Sequence, residues 1–187
     1  SRGLGQVYKR QDIQYGNEDV TQLEHAIQCA ELAEKNNKSE KFITACLFHD
    51  IGHLFDDDLE SMENNEDGYH ENVGSKYLKD TFSHEVVEII KGHVDAKRYL
   101  TFIDQEYFQT LSKASQISLK IQGGAFDKQH ADEFISKPFM QASVELRKLD
   151  DLAKIEGKKI PNIEYFRKFV EKSLISVSYT HLRAHEP

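Results

Sequence analysis

The sequence predicts an all-α protein. Apolar residues recur at spacings of three and four, and strand-like alternation is scarce. Only three prolines occur in 187 residues, at Pro138, Pro161 and Pro187, and glycine is sparse within the periodic segments.

The first helix is expected from Thr21 to about Lys35. Thr21 and Glu24 have the spacing of a capping box, with Leu23, Ile27, Ala30 and Leu32 or Ala33 facing inward. A second helix follows Ser39 and ends near His49 and Asp50, with Gly52 as its stop signal. Residues 54–69 are acidic and polar and read as a surface loop. A third helix is expected over about 70–81, and a fourth, capped by Ser83, over about 83–95. A fifth covers about 104–121 and stops at Gly123 and Gly124; a sixth starts near Asp127. Pro138 suits the first turn of a helix reaching about Glu156. Pro161 opens a last helix whose apolar residues are Ile163, Phe166, Phe169 and Val170.

Residues 1–175 are expected to form one domain, a length that supports a sizeable core. Residues 176–187 lack an amphipathic period. They resemble a tail that recurs at the ends of open reading frames from shotgun sequencing. The expectation is that they lie outside the natural domain, which removes His181 and His185 from consideration. The chain opens on Ser1, so the natural start is expected to be missing or processed.

A net charge of −8 argues against a nucleic-acid partner and supplies no polybasic membrane patch. No apolar run is long enough to span a bilayer. Cys29 and Cys46 fall in apolar helical contexts and read as buried free thiols, which fits a cytoplasmic protein. Oligomeric state is not legible in the sequence.

Chemistry concentrates in an ordered set: His25, His49-Asp50, His70, His93 and Asp150, strung across five predicted helices. Imidazole and carboxylate are the usual ligands of Fe, Mn and Zn, and six of them suffice for two ions. Adjacent residues on a helix diverge by about 100°. His49 and Asp50 can therefore serve one centre only if the helix is ending, or if Asp50 bridges two ions. The spacing suggests His25, His49 and Asp50 on one side, with His70, His93 and a distant carboxylate on the other. His84 and His130 read as ordinary surface or core residues.

The His-Asp pair resembles the hallmark of the HD-domain superfamily. Five segments carry a closer resemblance to its mixed-valent diiron oxygenases. They are Gln22–Ala30, Leu47–His53, Tyr69–Gly74, Gly92–Leu100 and Gln122–Gly124. Position by position, the resemblance implies that His25, His49, Asp50, His70, His93 and Asp150 ligate an Fe(II)/Fe(III) pair, with Asp50 bridging. It implies that Tyr15 and Glu18, in a substrate-covering segment over residues 1–19, gate oxygen, the co-substrate. It implies that His53, Lys97, Ser115 and Arg147 contact a small organophosphonate. The implied reaction is oxidative cleavage of the carbon–phosphorus bond of a 1-hydroxyalkylphosphonate, with 2-amino-1-hydroxyethylphosphonate giving glycine and phosphate. Two alternatives are the same chemistry on the N-trimethylated phosphonate, giving glycine betaine, and metal-dependent hydrolysis of a phosphate ester. A non-enzymatic HD-like scaffold is a third.

Overall fold

The computed structural model describes residues 19–55 and 70–175. Helices dominate it, and no strand occurs among the described residues. The helices are α1 (Gln22–Lys35), α2 (Glu40–Phe48), α3 (His70–Leu78), α4 (His84–Lys91), α5 (His93–Ile103), α6 (Tyr107–Thr110), α7 (Lys113–Ile121), α8 (Lys128–Ser136), α9 (Met140–Leu152) and α10 (Arg167–Ser173). Short 3-10 turns cover Ile51–Leu54 and Ile163–Phe166.

The starts follow local chemistry. Thr21 and Glu24 form the reciprocal capping box of α1. Ser39, Ser112 and Asp127 each accept a backbone N–H in the first turn of α2, α7 and α8. Ser83 occupies the cap position of α4, but its side chain makes no capping bond.

Two apolar clusters flank the centre of the molecule. One joins α1, α2 and α4 through Ile27, Phe42, Ile43, Val86, Ile89 and Ile90. The other joins α5, α7 and α8 onto α9 through Leu100, Leu119, Phe134 and Val144. Helix α9 contributes to both, with Leu146 in the first and Val144 in the second. Cys29 and Cys46 are buried free thiols in the first cluster.

Several element boundaries differ from expectation. The fourth helix is cut at Gly92, so His93 opens α5, and residues 96–103 are helical. The joint packs against α9: a Cβ on Gly92 would lie 2.4 Å from Ser143 Oγ and 2.8 Å from Met140 Sδ. The third helix stops at Leu78. The fifth expected helix is two, α6 and α7, separated at Leu111 and Ser112. Pro138 precedes α9 instead of opening it. Its ring disfavours the helical region for the residue before it, and Lys137 is accordingly extended at ψ 149°. Phe139 then turns the chain at φ +67°. Helix α9 ends at Leu152, short of Glu156, and Pro161 is followed by a 3-10 turn before α10.

Gly52 also acts differently from a stop signal. It sits inside the 3-10 turn after α2, where a Cβ would lie 1.9 Å from the carbonyl oxygen of His70. Gly74, one turn into α3, packs on the same spot, with Gly52 N 3.2 Å from its ideal Cβ. These two glycines let α3 lie directly on the turn that carries Asp50.

Gly52→Ala is therefore expected to cost at least about 3 kcal/mol, because the obstacle is backbone. Gly124→Ala meets nothing within 4 Å and bears only its φ of +72°, for about 1 kcal/mol. Urea unfolding of both variants checks the ranking; equal costs would sink the close-approach account.

Candidate metal centre

Each imidazole of the cluster comes from a helix end. His25 lies in the first turn of α1, His49 caps α2, His70 opens α3 and His93 opens α5. The α2 helix ends before Asp50, whose backbone has left the helical region at φ −103°, ψ 12°. The adjacent pair can therefore address one centre, because it is not on regular helix.

The side chains converge around Asp50. Its Oδ1 lies 3.3 Å from His70 Nε2 and 3.2 Å from His93 Nε2. Its Oδ2 lies 3.4 Å from His49 Nε2 and 3.6 Å from His25 Nε2. One carboxylate thus faces two imidazole pairs, one pair per oxygen. Within each pair the Nε2 atoms are 3.1 Å apart, His25 to His49 and His70 to His93.

Tautomers sharpen this. His25 Nδ1 meets the Ala153 carbonyl at 2.9 Å, His49 Nδ1 the Cys46 carbonyl at 2.9 Å, and His93 Nδ1 the Ile90 carbonyl at 2.6 Å. A carbonyl only accepts, so each Nδ1 carries a proton, and each ring, when its Nε2 is deprotonated, presents that lone pair to the centre. Two lone pairs facing one another at hydrogen-bond distance repel unless a proton or metal cation lies between them. Carbonyl contacts behind the rings are also what orients histidine ligands.

The distant carboxylate is placed differently from the sequence-based division. Asp150 lies with His25 and His49, its Oδ1 3.3 Å from His25 Nε2, and not with His70 and His93. The cause is the docking of the α9 end on α1: Gln28 donates to the Ile155 carbonyl and accepts from its N–H, and His25 holds Ala153. Asp150 is fully buried, and among the described residues neither of its oxygens accepts a hydrogen bond of good geometry; the same holds for Asp50 Oδ2. Buried carboxylate oxygens in that condition fit a cation. With imidazole and carboxylate donors and no thiolate aimed inward, the set fits a borderline ion such as iron, manganese or zinc. His53 stacks on His70 with ring centroids 3.8 Å apart and also offers a ligand atom near Asp50 and His70.

Charge reinforces the picture. Burial raises the Asp50 carboxyl, yet the charge of His49 brings it well below the carboxylate range. Burial opposes a charged His49, but Asp50 outweighs it and raises the imidazole to about 10. Asp150 is likewise raised by burial and pulled far lower by Arg147.

Beside Asp150 lies a polar network that sequence reasoning saw in part. Arg147 Nη1 is 2.7 Å from Asp150 Oδ2, and its Nη2 pairs with Asp151 and reaches Ser115 Oγ at 3.4 Å. Tyr107 donates to Asp151 at 2.5 Å and accepts from Arg147 Nε. Lys97 is buried and donates to Ser118 Oγ at 2.7 Å. Burial, with the neighbouring Arg147 guanidinium next, pushes its ammonium down to about 7. Lys154 donates to Ser115 Oγ at 3.0 Å. Thus Lys97, Ser115 and Arg147 come together, whereas Tyr107, Ser118, Asp151 and Lys154 were missed. The signal for Asp151 and Lys154 was their spacing from Arg147, four and seven residues, which is one helix face. His84 and His130 are exposed. Tyr15, Glu18 and the acidic loop near Asp67 lie outside the described residues, as does the 176–187 tail. No helix among the described residues is long and apolar enough to cross a membrane.

A model of the HD domain matches residues 22–123. The chain is 42% identical to the hydroxymethylphosphonate dioxygenase of Gimesia maris over 160 residues, 84% of this chain and 80% of the relative. It is 37% identical over 171 residues to a (1-hydroxy-2-(trimethylamino)ethyl)phosphonate dioxygenase of Leisingera caerulea that forms glycine betaine, covering 90% of this chain and 87% of that one.

If the cluster holds metal, chelator-treated protein should gain thermal stability when Fe(II) is returned, by about 4 kcal/mol at a thousandfold excess over the dissociation constant. Asp50→Ala should abolish the gain and the exposed His84→Ala should keep it. Scanning calorimetry decides; an undiminished gain in Asp50→Ala removes that carboxylate from the site.

Proposed function

The chain belongs to the HD-domain family, and from that premise we propose that it is an oxygenase cleaving the carbon–phosphorus bond of a 1-hydroxyalkylphosphonate at a mixed-valent diiron centre. The observation that carries this reading is one buried carboxylate facing two imidazole pairs beside a cluster of buried cationic side chains. The two dioxygenase relatives, similar over most of their length, support the phosphonate class. The member of that class to which the sequence resemblance points is 2-amino-1-hydroxyethylphosphonate, which with oxygen gives glycine and phosphate. Hydroxymethylphosphonate and the N-trimethylated compound carry the same reacting group.

His25, His49 and Asp150 would hold one iron, His70 and His93 the other, with Asp50 shared. When bound, the Fe(II)/Fe(III) pair supplies the redox equivalents for activating oxygen and oxidising C1. The protein's own residues do the rest. The carbonyls of Ala153, Cys46 and Ile90 keep three rings in the tautomer that presents Nε2. Arg147 neutralises Asp150 and fixes its orientation. Lys97, Ser115 and Arg147 hold the phosphonate with fixed charge and hydrogen bonds, which positions C1 at the centre. Lys97 and Arg147 are both buried, so water is thinned around the anion and each contact gains strength. Tyr15 and Glu18 are proposed to cover the substrate and gate oxygen.

Iron-loaded protein offered the three hydroxyphosphonates should consume oxygen and release phosphate in equal amounts with at least one of them. Hydrolysis of a phosphate ester without oxygen uptake would identify a phosphohydrolase instead. His93→Ala should cut turnover at least about a hundredfold and lower the iron content; unchanged iron and rate would exclude His93 as a ligand.

Lys97 sets a pH dependence. Its ammonium titrates near 7 without an anion, and a bound dianion raises that value. Between the two values binding takes up a proton, so affinity is fullest at the acidic side and declines as pH rises. Methylphosphonate binding, measured above about pH 9 so that the ligand's own second ionisation is complete, should weaken by up to about tenfold per unit. A pH-independent affinity in Lys97→Met and in the wild type alike would refute this role.

A further inference from the structure

Asp151 is a negative charge standing where an anion is proposed to bind, and no step in the preceding account uses it. It lies in the last turn of α9, next to the candidate ligand Asp150, with 15% of its side chain exposed. Its Oδ1 pairs with Arg147 Nη2, and its Oδ2 accepts from the Tyr107 hydroxyl at 2.5 Å. Tyr107 in turn accepts from Arg147 Nε at 3.3 Å. The carboxylate is thus clamped to the guanidinium. The same Nη2 reaches Ser115 Oγ at 3.4 Å, so Asp151 engages the Arg147 nitrogen that faces the proposed phosphonate contacts.

Scaffolding does not account for the charge. Tyr107 opens α6 and Asp151 belongs to α9, so their bond ties two helices together. A phenol O–H needs only an acceptor, and a neutral amide oxygen is one. Nor does Arg147 lack a counter-ion, because Asp150 Oδ2 stands 2.7 Å from its Nη1. The charge of Asp151 does act on a ligand, since like charges brought together at a binding site are strongly unfavourable. With every group ionised, Lys97, Arg147 and Lys154 set three positive charges against the two of Asp150 and Asp151, an excess of one. Without Asp151 the excess is two.

That difference bears on the product. The proposed reaction turns a phosphonate into inorganic phosphate, and both present a dianionic head group. A site that gripped the head group alone would hold product as firmly as substrate, and such uniform binding does not speed turnover. A weaker grip leaves discrimination to C1 and its hydroxyl, which phosphate lacks. Product release commonly limits turnover, so a looser hold on phosphate is a gain.

We propose that Asp151 is a specificity-determining residue, an anion built into the phosphonate site that weakens the hold on a bare dianion and so favours release of phosphate. The proposal rests on the phosphonate reading above. Tyr107 keeps the carboxylate in place on Arg147.

Calorimetric titration of iron-loaded protein with inorganic phosphate and with methylphosphonate, at one fixed pH, tests this. Asp151→Asn should bind both anions about ten- to hundredfold more tightly than the wild type, the scale of removing one nearby like charge. Its inhibition constant for phosphate, where the substrate is turned over, should fall in step. Asp151→Glu keeps the charge and should stay within about threefold of the wild type. Asp151→Ser repeats the measurement should the amide variant fail to fold. A purely structural residue gives the opposite sign, because a misplaced Arg147 binds anions less well. Phosphate affinity in Asp151→Asn that is unchanged or weaker overturns the proposal, as does an equal gain in Asp151→Glu. Binding of both anions by the wild type without that gain sinks the role of Asp151 alone. Binding of neither anion, by the wild type or by Asp151→Asn, sinks the phosphonate reading and the proposal with it.

Discussion

Everything in this fold is arranged around one buried carboxylate. Asp50 presents an oxygen to each of two imidazole pairs, and the rings of each pair aim their Nε2 atoms at one another from 3.1 Å. Without a cation, that geometry combines buried charge with opposed lone pairs, and burying either is costly. The cost is tolerable only if strong packing elsewhere fixes the ligands. Two apolar clusters supply it, and α9 ties them together by contributing to both. The cation that relieves the centre would return much of that free energy on binding, which links metal to folding.

Helix ends are the means by which the candidate ligands reach one point. A histidine in the middle of a helix shares its direction with neighbours three and four residues away. One at a terminus can be aimed by the turn that precedes or follows. Gly52 and Gly92 make two of these turns possible. The first admits the His70 backbone onto the Asp50 turn, and the second lets the α4–α5 joint sit against Ser143 and Met140 of α9. Each glycine sits beside a candidate ligand: Gly92 immediately precedes His93, and Gly52 lies two residues beyond Asp50.

This explains what was legible in the sequence. Helical class, the Thr21 box and the six candidate ligands all follow from local pattern, because capping and periodicity are local. The break at Gly92 was not legible: Ser83 to Asp95 keeps apolar spacing across it, and only contact with α9 separates two helices there. The side on which Asp150 falls was also hidden. It depends on Gln28 and His25 gripping the backbone at 153–155, a contact between residues about 128 positions apart. Asp151 and Lys154 were readable in principle, since their spacing from Arg147 puts them on one face of the helix expected to reach Glu156. A lysine after a helix, however, looks like a surface cation until the pinned backbone is seen.

A net charge of −8 is, taken alone, unfavourable for binding a dianion. Distance resolves this. Exposed charges are screened over about 8 Å at physiological ionic strength, whereas buried ones act on each other with little screening. Seven acidic residues and no basic one fall within residues 56–69 alone. The pocket instead gathers Lys97, Arg147 and Lys154, all largely buried, against Asp150 and Asp151. Each ion bound by Asp50 and Asp150 would add positive charge next to that group. Metal loading and anion binding should therefore be mutually reinforcing: the same Asp150 that a cation neutralises no longer competes for Arg147 and Lys154. Such coupling is reciprocal, so an anion in the pocket must in turn tighten the metal. The network between Asp150 and Ser115 would thus be the physical connection between the proposed redox centre and the proposed substrate site.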